Sequence, residues 1–380
     1  MSGERKLKIG IDLTGLWRPS TGIWVYAKEI ARELLLLDCD NQYTLFFGRA
    51  IHPEFREMDG RFRAVVIPVR EEVISKQVLM AVLCNMDALD LIHFPALPPP
   101  LFCFRPFIWT LHDATPWLYP NTMDLKGRSY YRWIGAHAAR MSRLIITISN
   151  EAKKDITRAL RIAETKVRVV YRAVDAAFTK LSDPELMSAV RARYGLPERF
   201  ILAVGTLEPR KNLPALIQAY RQMQRVKATK LGLVIVGRTG WKTGSLQEDL
   251  RENASGIVVT GFVPQGDLVV LYNLAEVLVL PSLYEGFGLP PIEAMACGCP
   301  VVVSNRGSLP EVVGEAAILI DPESQDSITA AIRAVEGNPA LRADLARRGL
   351  ERVKTFSRKT AAVKTLELYR EVGAHSDFLT

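Results

Sequence analysis

Ser282-Leu-Tyr-Glu-Gly-Phe-Gly-Leu-Pro-Pro-Ile-Glu293-Ala-Met-Ala-Cys-Gly298 is the stretch whose reading decides the fold. Val277-Leu-Val-Leu-Pro281 precedes it and Val301-Val-Val-Ser304 follows, two short β-branched runs suited to a parallel sheet buried on both faces. Pro290 and Pro291 fit the first turn of a helix, and Gly298 with Pro300 behind it stops one. The pattern is strand, loop, helix of about two turns, strand. Gly286 and Gly288 lack a Cβ, so a ligand can approach the outward N–H groups at the helix start, where the dipole favours an anion. Glu285 and Glu293 flank this anion seat. A carboxylate repels phosphate but accepts two hydroxyl hydrogen bonds, which suits a sugar diol. A glutamate early in a helix is also commonly a capping or dipole residue, and for Glu293 alone both readings stand.

At 380 residues the chain has material for two cores, and 48% apolar with 24% charged residues is the balance of a soluble globular protein. A net charge of +8 points to an anionic partner: nucleic acid, an acidic lipid surface or a phosphorylated substrate. The cysteines Cys39, Cys84, Cys103, Cys297 and Cys299 lack zinc spacing and read as reduced, mostly core residues of a cytoplasmic protein. No signal peptide and no apolar run of membrane-spanning length is present, so the expectation is a cytoplasmic chain that can rest on the inner face of a membrane without crossing it.

From the start, Lys6–Leu13 reads as a strand and Ile23–Leu37 as a helix. The loop between them carries Gly15 and Gly22. Its spacing is not that of a dinucleotide fingerprint, so the two glycines are read as a clamp approaching a substrate, against plain turn glycines. Asp38-Cys-Asp40 has a metal-binding spacing used with nucleotide diphosphates, but it ends a helix and is read as a connector. Strands follow at Tyr43–Phe47 and Phe62–Pro68, a helix at Glu71–Met86, and buried strands at Asp90–Phe94 and Phe107–Asp113 around a proline-rich turn. His93 reads as structural. His112 stands at a strand end, where Asp113 could fix its tautomer. Gly127–Arg143 interleaves arginines with Tyr130, Tyr131 and Trp133; the favoured reading is an amphipathic helix with aromatics inward, over contact with lipid, acceptor or RNA. Leu144–Ser149 is a strand whose Ser149 caps the next helix, and Val167–Tyr171 closes the first sheet.

The same grammar then restarts. Phe200–Gly205 is a strand, and Thr206-Leu-Glu-Pro-Arg-Lys-Asn212 a loop with Asn212 capping the helix Leu213–Val226. Arg210 and Lys211 stand at a strand's C-terminal end, where two cations can neutralise a departing diphosphate without a metal. Strands continue at Leu231–Gly237 and at Ile257–Pro264, whose turn at Phe262 offers backbone groups to a base, and at Ala317–Ile320. Helices near 325–336, 338–354 and 358–373 finish the chain.

Glu285, seven residues, then Glu293, enclosing Gly-Phe-Gly-Leu-Pro and followed by Glu-Ala-Met-Ala-Cys-Gly-Cys-Pro-Val-Val, resembles the E-x7-E signature of the family 4 glycosyltransferases. Gly205-Thr-Leu-Glu-Pro-Arg-Lys-Asn212 and Thr110-Leu-His-Asp113 resemble stretches of the same family; Phe356-Ser-Arg358 departs from its common Phe-Ser-Trp. The resemblance implies an α/β protein of GT-B fold: two Rossmann-like, doubly wound parallel-sheet domains facing a central cleft, 1–176 binding acceptor and 177–357 binding donor, with 358–380 crossing back to the first. It implies a retaining glycosyltransferase moving a hexose from a nucleotide-diphosphate sugar, GDP-mannose by similarity to bacterial mannosyltransferases, to a glycan or lipid-linked acceptor. In it Glu293 would accept from the ribose; Glu285, Gly286 and the backbone of Phe287, Gly288 and Leu289 would hold hexose and phosphate; Arg210 and Lys211, beside Thr206, would clamp the diphosphate; and His112 would sit against the sugar. No metal and no nucleic acid are expected. Donors with a UDP-glucose or UDP-N-acetylglucosamine head, and a non-catalytic nucleotide- or RNA-binding pair of Rossmann units, are the alternatives.

Overall fold

A computed structural model of the protein describes residues 5–17, 22–58, 60–68, 76–86, 88–120, 125–238, 240 and 255–374. The chain divides into two compact units, one of residues 1–173 with 357–380 and one of residues 174–356. The first unit holds a seven-stranded parallel sheet built from β1 (Lys8–Leu13), β2 (Gln42–Gly48), β3 (Arg63–Ile67), β4 (Leu91–Phe94), β5 (Phe107–Thr110), β6 (Leu144–Thr147) and β7 (Val167–Val169), in the spatial order 3-2-1-4-5-6-7. The second holds a six-stranded parallel sheet of β8 (Phe200–Val204), β9 (Gly232–Val236), β10 (Ile257–Gly261), β11 (Val277–Leu280), β12 (Val301–Ser304) and β13 (Ile318–Ile320), in the order 10-9-8-11-12-13. Strands such as Val277-Leu-Val-Leu280 are buried along their whole length, as a sheet covered on both faces demands. Both sheets reverse direction of growth once, between β1 and β4 and between β8 and β11, and each reversal opens a crevice at the strands' C-terminal ends.

The last helix, Arg358–Ala374, belongs to the first unit, where it lies on the helix Gly22–Leu37. Ala361, Ala362, Leu368, Tyr369 and Val372 join Tyr26, Ile30 and Leu34 in one core. Arg358, the residue after Phe356-Ser357, donates to Glu29 at 2.8 Å. The pair's side chains are 24% and 17% exposed, and the helix also buries Leu368, Tyr369 and Val372, each large apolar side chain contributing about 1.5–3 kcal/mol, so the apolar face holds this helix in place. Tyr369 also fixes His93: its hydroxyl meets Nδ1 at 2.7 Å while Thr110 Oγ1 meets Nε2 at 2.8 Å, which makes His93 the structural residue its sequence suggested.

Several local expectations need correction. Asn212 occupies the N-cap position, but its φ of 52° turns the side chain away, and Nδ2 donates to Pro322 O at 2.7 Å instead of capping the helix Leu213–Arg225. Residues 125–141 are not one amphipathic helix. Helices Leu125–Tyr130 and Ala136–Met141 enclose a wide π-helical turn, Tyr131–Gly135, which rotates Trp133 into solvent. The expected helix Glu71–Met86 begins outside the described residues and is present as the π-helical turn Lys76–Met80 and the helix Ala81–Met86. Asp38 is the connector anticipated: it accepts from Asp40 N, Asn41 Nδ2 and Tyr43 Oη and so pins the turn into β2.

Candidate active site

In the second unit the loops leaving β8 and β11 flank the crevice, and their polar residues meet there. Leu283 N donates to Arg210 O at 2.9 Å, locking the loops together. Lys211 Nζ then reaches Glu285 Oε1 at 2.6 Å, and Arg210 Nη1 reaches Glu285 Oε2 at 2.8 Å and Tyr284 O at 2.6 Å. The other Arg210 arm binds Glu208. Ser282 Oγ donates to Glu285 Oε1 at 2.7 Å. From behind, Ser308 donates through N (3.1 Å) and Oγ (2.9 Å) to the Glu285 carbonyl. Gly205 makes the approach possible: a Cβ there would stand 3.0 Å from Lys211 Cε, at a φ of 146°.

This geometry revises what the sequence suggested for the basic doublet and for Glu285. Two carboxylates, Glu208 and Glu285, balance the two cations, so the cluster as it stands is formally neutral. Both acceptor sites on Glu285 Oε1 are used, and Oε2 keeps one. Glu285 therefore has room for one hydroxyl rather than a diol. Burial raises its carboxyl pKa, but the Lys211 and Arg210 charges and their hydrogen bonds outweigh burial and hold it at about 2.

Because that value lies below the ordinary 4.5, the Glu285 contribution to stability is complete above pH 4.5 and disappears as pH falls toward 2. Urea midpoints measured across this range should fall for the parent chain and fall less for Glu285→Gln. His93 follows the same sign: burial lowers it from 6.5 to about 3, so its contribution is complete above pH 6.5 and fades toward 3.

The helix Leu289–Ala296 opens at Gly288, whose φ is 90° and whose Cβ would stand 2.6 Å from Leu309 Cδ2. A side chain at this position is thus excluded twice, by backbone and by space. Leu289 is the first helical residue, and Pro290 and Pro291, the second and third, have no N–H, so Leu289 carries the one backbone donor of these three positions. Phe287 is 3% exposed, its ring edge-on to Phe356 at 5.6 Å, so the side chain anchors the loop. Leu289 is half-buried. Glu293, in the second turn, accepts from the buried Tyr272 hydroxyl at 2.8 Å.

Beside this, β10 pairs with β9 through an irregular register between Val259 and Gly261, and Gly261 has a φ of 71°. The bulge turns Phe262 outward, and it is 61% exposed. The Arg238 guanidinium lies 4.3 Å from its ring centre. Thr206 is exposed next to them, its neighbour Leu207 N bonded to Arg238 O at 2.9 Å. Arg238, Tyr272 and Ser308 carry no motif and were not picked out in the sequence, whereas Glu208 and Ser282 lie inside the quoted stretches Gly205–Asn212 and Ser282–Gly298 but were given no role there.

In the first unit His112 Nε2 is 3.1 Å from the Pro95 carbonyl, so that nitrogen carries the proton. Its Nδ1 is buried and has no hydrogen-bond partner among the described residues. Burial, then the Arg172 charge, push the imidazole down to about 3, so it is neutral and Nδ1 offers a lone pair. The tautomer is set by Pro95 and not, as expected, by Asp113, whose Oδ1 accepts from Thr115 N at 2.8 Å. Tyr26 meets the ring edge-on at 4.9 Å. Gly22 O accepts from Arg172 at 2.8 Å, and a Cβ on Gly15 would stand 2.0 Å from the Trp24 indole, so Gly15 is required by packing inside the unit. Among the described residues no three His, Cys, Asp or Glu side chains gather as a metal-binding set, and no helix is long and apolar enough to cross a membrane.

Residues 190–352 match the model of the glycosyl transferases group 1, and residues 20–178 match that of Glycosyltransferase Family 4. O-antigen chain mannosyltransferase B of Escherichia coli is 33% identical over 266 residues, 69% of this chain and 70% of that protein. The chain is a family 4 glycosyltransferase. This glycosyltransferase is also 32% identical over 263 residues to the serotype-specific mannosyltransferase WbdA of Escherichia coli, covering 67% of this chain and 32% of that longer protein. Its fold is shared with Anabaena HepE, solved in complex with UDP and glucose, at a TM-score of 0.73 and 19% identity over 96% of this chain and 100% of that one. The two parallel-sheet units are those of a GT-B glycosyltransferase.

Proposed function

We propose that this glycosyltransferase transfers mannose from GDP-mannose to a glycan or lipid-linked acceptor with retention at the anomeric carbon and without a metal ion. The observation that carries the reading is that Arg210 and Lys211, from the loop after β8, meet Glu285, from the loop leading into the helix Leu289–Ala296, at one crevice of the second unit. As the bond from the sugar C1 to the diphosphate oxygen breaks, its electron pair moves to the diphosphate, and charge grows where these donors lie. The acceptor hydroxyl oxygen bonds to C1 on the face that the diphosphate leaves, and its proton passes to the diphosphate. Fixed cations and amides stabilise the leaving oxygen by about 3 kcal/mol for a single donor, which removes the need for a metal. Glu293 accepts from the ribose hydroxyls, the free Glu285 Oε2 site takes one sugar hydroxyl, and Phe262 with Arg238 meets the base.

The sugar is assigned from the mannosyltransferase relatives of Escherichia coli. Anabaena HepE, which holds UDP and glucose, shares the fold, so uridine donors are the competing choice. Incubation of the full chain with GDP-mannose, UDP-glucose and UDP-N-acetylglucosamine, read by mass spectrometry for released nucleotide, should show GDP from the first at a rate well above UDP from the others. Release of UDP alone would reassign the donor. Retention is checked by the anomeric configuration of the product in proton NMR.

A further inference from the structure

Behind Glu293 stands a residue that the proposed transfer does not use. Tyr272, on the helix Gln265–Leu274, is fully buried, and its hydroxyl donates to Glu293 Oε2 at 2.8 Å. Burial, then the Glu293 charge, raise the phenol well above its ordinary 10, so the group keeps its proton and directs it at the carboxylate. The ring is held from several sides. Phe178 meets it edge-on at 5.8 Å. The adjacent Asn273 ties the helix to residues 179–181, accepting from Leu181 N at 2.8 Å and donating to Thr179 O at 3.0 Å. In the first turn of the same helix Asp267 accepts from the Tyr194 hydroxyl at 2.7 Å and from Arg193 Nη1 at 2.5 Å. Tyr272 Oη is thus a donor fixed in space. Glu293 is half-buried, and a carboxylate has about four acceptor sites, of which Tyr272 takes one.

We infer that Tyr272 is a positioning residue that fixes the Glu293 carboxylate and thereby makes the pocket select nucleoside diphosphates carrying the ribose hydroxyls over those lacking them. The inference rests on the proposed role of Glu293 as acceptor from the ribose. A carboxylate that can turn recovers a hydrogen bond from water when the ligand lacks a hydroxyl, and it discriminates little. One pinned by a buried phenol stays opposite the missing group with a lone pair unmet, which penalises the deoxy ligand. The ribose takes no part in bond breaking, so the contact is equally strong in the ground and transition states and acts on donor binding rather than on turnover. A phenol that served only the core would leave this selectivity untouched, because phenylalanine keeps the ring against Phe178.

The full chain is titrated calorimetrically with GDP and its deoxyribose and dideoxyribose forms, and with the same uridine set, so that the outcome does not depend on the base. The parent is expected to bind the ribonucleotide about tenfold to hundredfold tighter than at least one deoxy form, the range of a hydrogen bond to a charged group. Tyr272→Phe should bring that ratio below about threefold, and with the sugar donor its KM should rise by a larger factor than kcat falls. In a Glu293→Gln background the same change should leave the ratio where it is, because the two side chains act as one unit. Equal discrimination by the parent and the folded Tyr272→Phe, or additive effects of the two substitutions, would overturn the inference while leaving Glu293 a ribose contact. A parent that binds ribose and deoxyribose forms equally, or binds neither set, overturns the role of Glu293 and the inference with it. Should Tyr272→Phe fail to fold, NMR of the parent labelled at tyrosine Cζ supplies the second measurement. The resonance displaced by Glu293→Gln should shift on adding the ribonucleotide and stay in place with the dideoxy form; no shift with the ribonucleotide counts against the inference.

Discussion

Lys211→Ala is expected to lower nucleotide release from the sugar donor by about a hundredfold or more, the usual effect of deleting one preformed donor at a developing anion. The structure adds a complication that the sequence conceals. Lys211 also neutralises Glu285, and both side chains are about nine-tenths buried, at 10% and 8% exposure. Alanine leaves Glu208 and Glu285 facing Arg210 alone, so a stability cost of up to about 3 kcal/mol accompanies the lost rate. The double variant Lys211→Ala with Glu285→Gln separates the two effects. If Lys211 acts on the diphosphate, removing the Glu285 charge restores stability and leaves the rate low. If Lys211 merely balances Glu285, the double variant recovers the rate, and the assignment of Lys211 to the leaving group is wrong. Urea midpoints and single-turnover rates at a temperature where every variant is folded decide between them.

The largest effect on stability is expected at Lys76. Its ammonium lies 2.5 Å from Asp12 Oδ2, with side-chain exposures of 1% and 0%, and also donates to Leu97 O at 3.2 Å. The other Asp12 oxygen accepts from Thr14 N (3.0 Å) and Thr14 Oγ1 (2.6 Å). The pair therefore ties the end of β1 to the π-helical turn and to the segment leaving β4, at the crevice of the first sheet. Lys76→Ala strands a buried carboxylate, at a cost of about 3–5 kcal/mol. For a unit of this size that lowers Tm by roughly 10 °C or more. Adding Asp12→Asn should recover most of it, because the amide oxygen still accepts from Thr14 and no charge remains buried. A Tm for Lys76→Ala within about 2 °C of the parent would mean that water reaches Asp12.

Most of the fold was legible in the sequence because parallel strands buried on both faces announce themselves as unbroken apolar runs. Val277–Leu280 and Val301–Ser304 lie where their composition puts them, and Gly288, Pro290 and Gly298 bracket the helix between them through backbone constraints that operate locally. What a local reading misses is who partners whom. Glu285 is 74 positions from Lys211, and only the reversal of strand order between β8 and β11 brings them together. Asp113 looked like the partner of His112 because it adjoins it in sequence, yet adjacent residues on an extended chain point apart, and Pro95 from the next strand took the role. Trp133 was misread because a π-helical turn resets the helical phase by one residue, which no periodicity of 3.6 anticipates.

The return of Arg358–Ala374 to the first unit sets an order of assembly on the ribosome. Residues 174–356 are contiguous and can mature as soon as they emerge, whereas the amino-terminal unit waits for the final two dozen residues before its core closes over Tyr369. During synthesis the earlier half is thus completed last, and a premature stop just after Phe356 would spare residues 174–356 while leaving the other unit with an open apolar face.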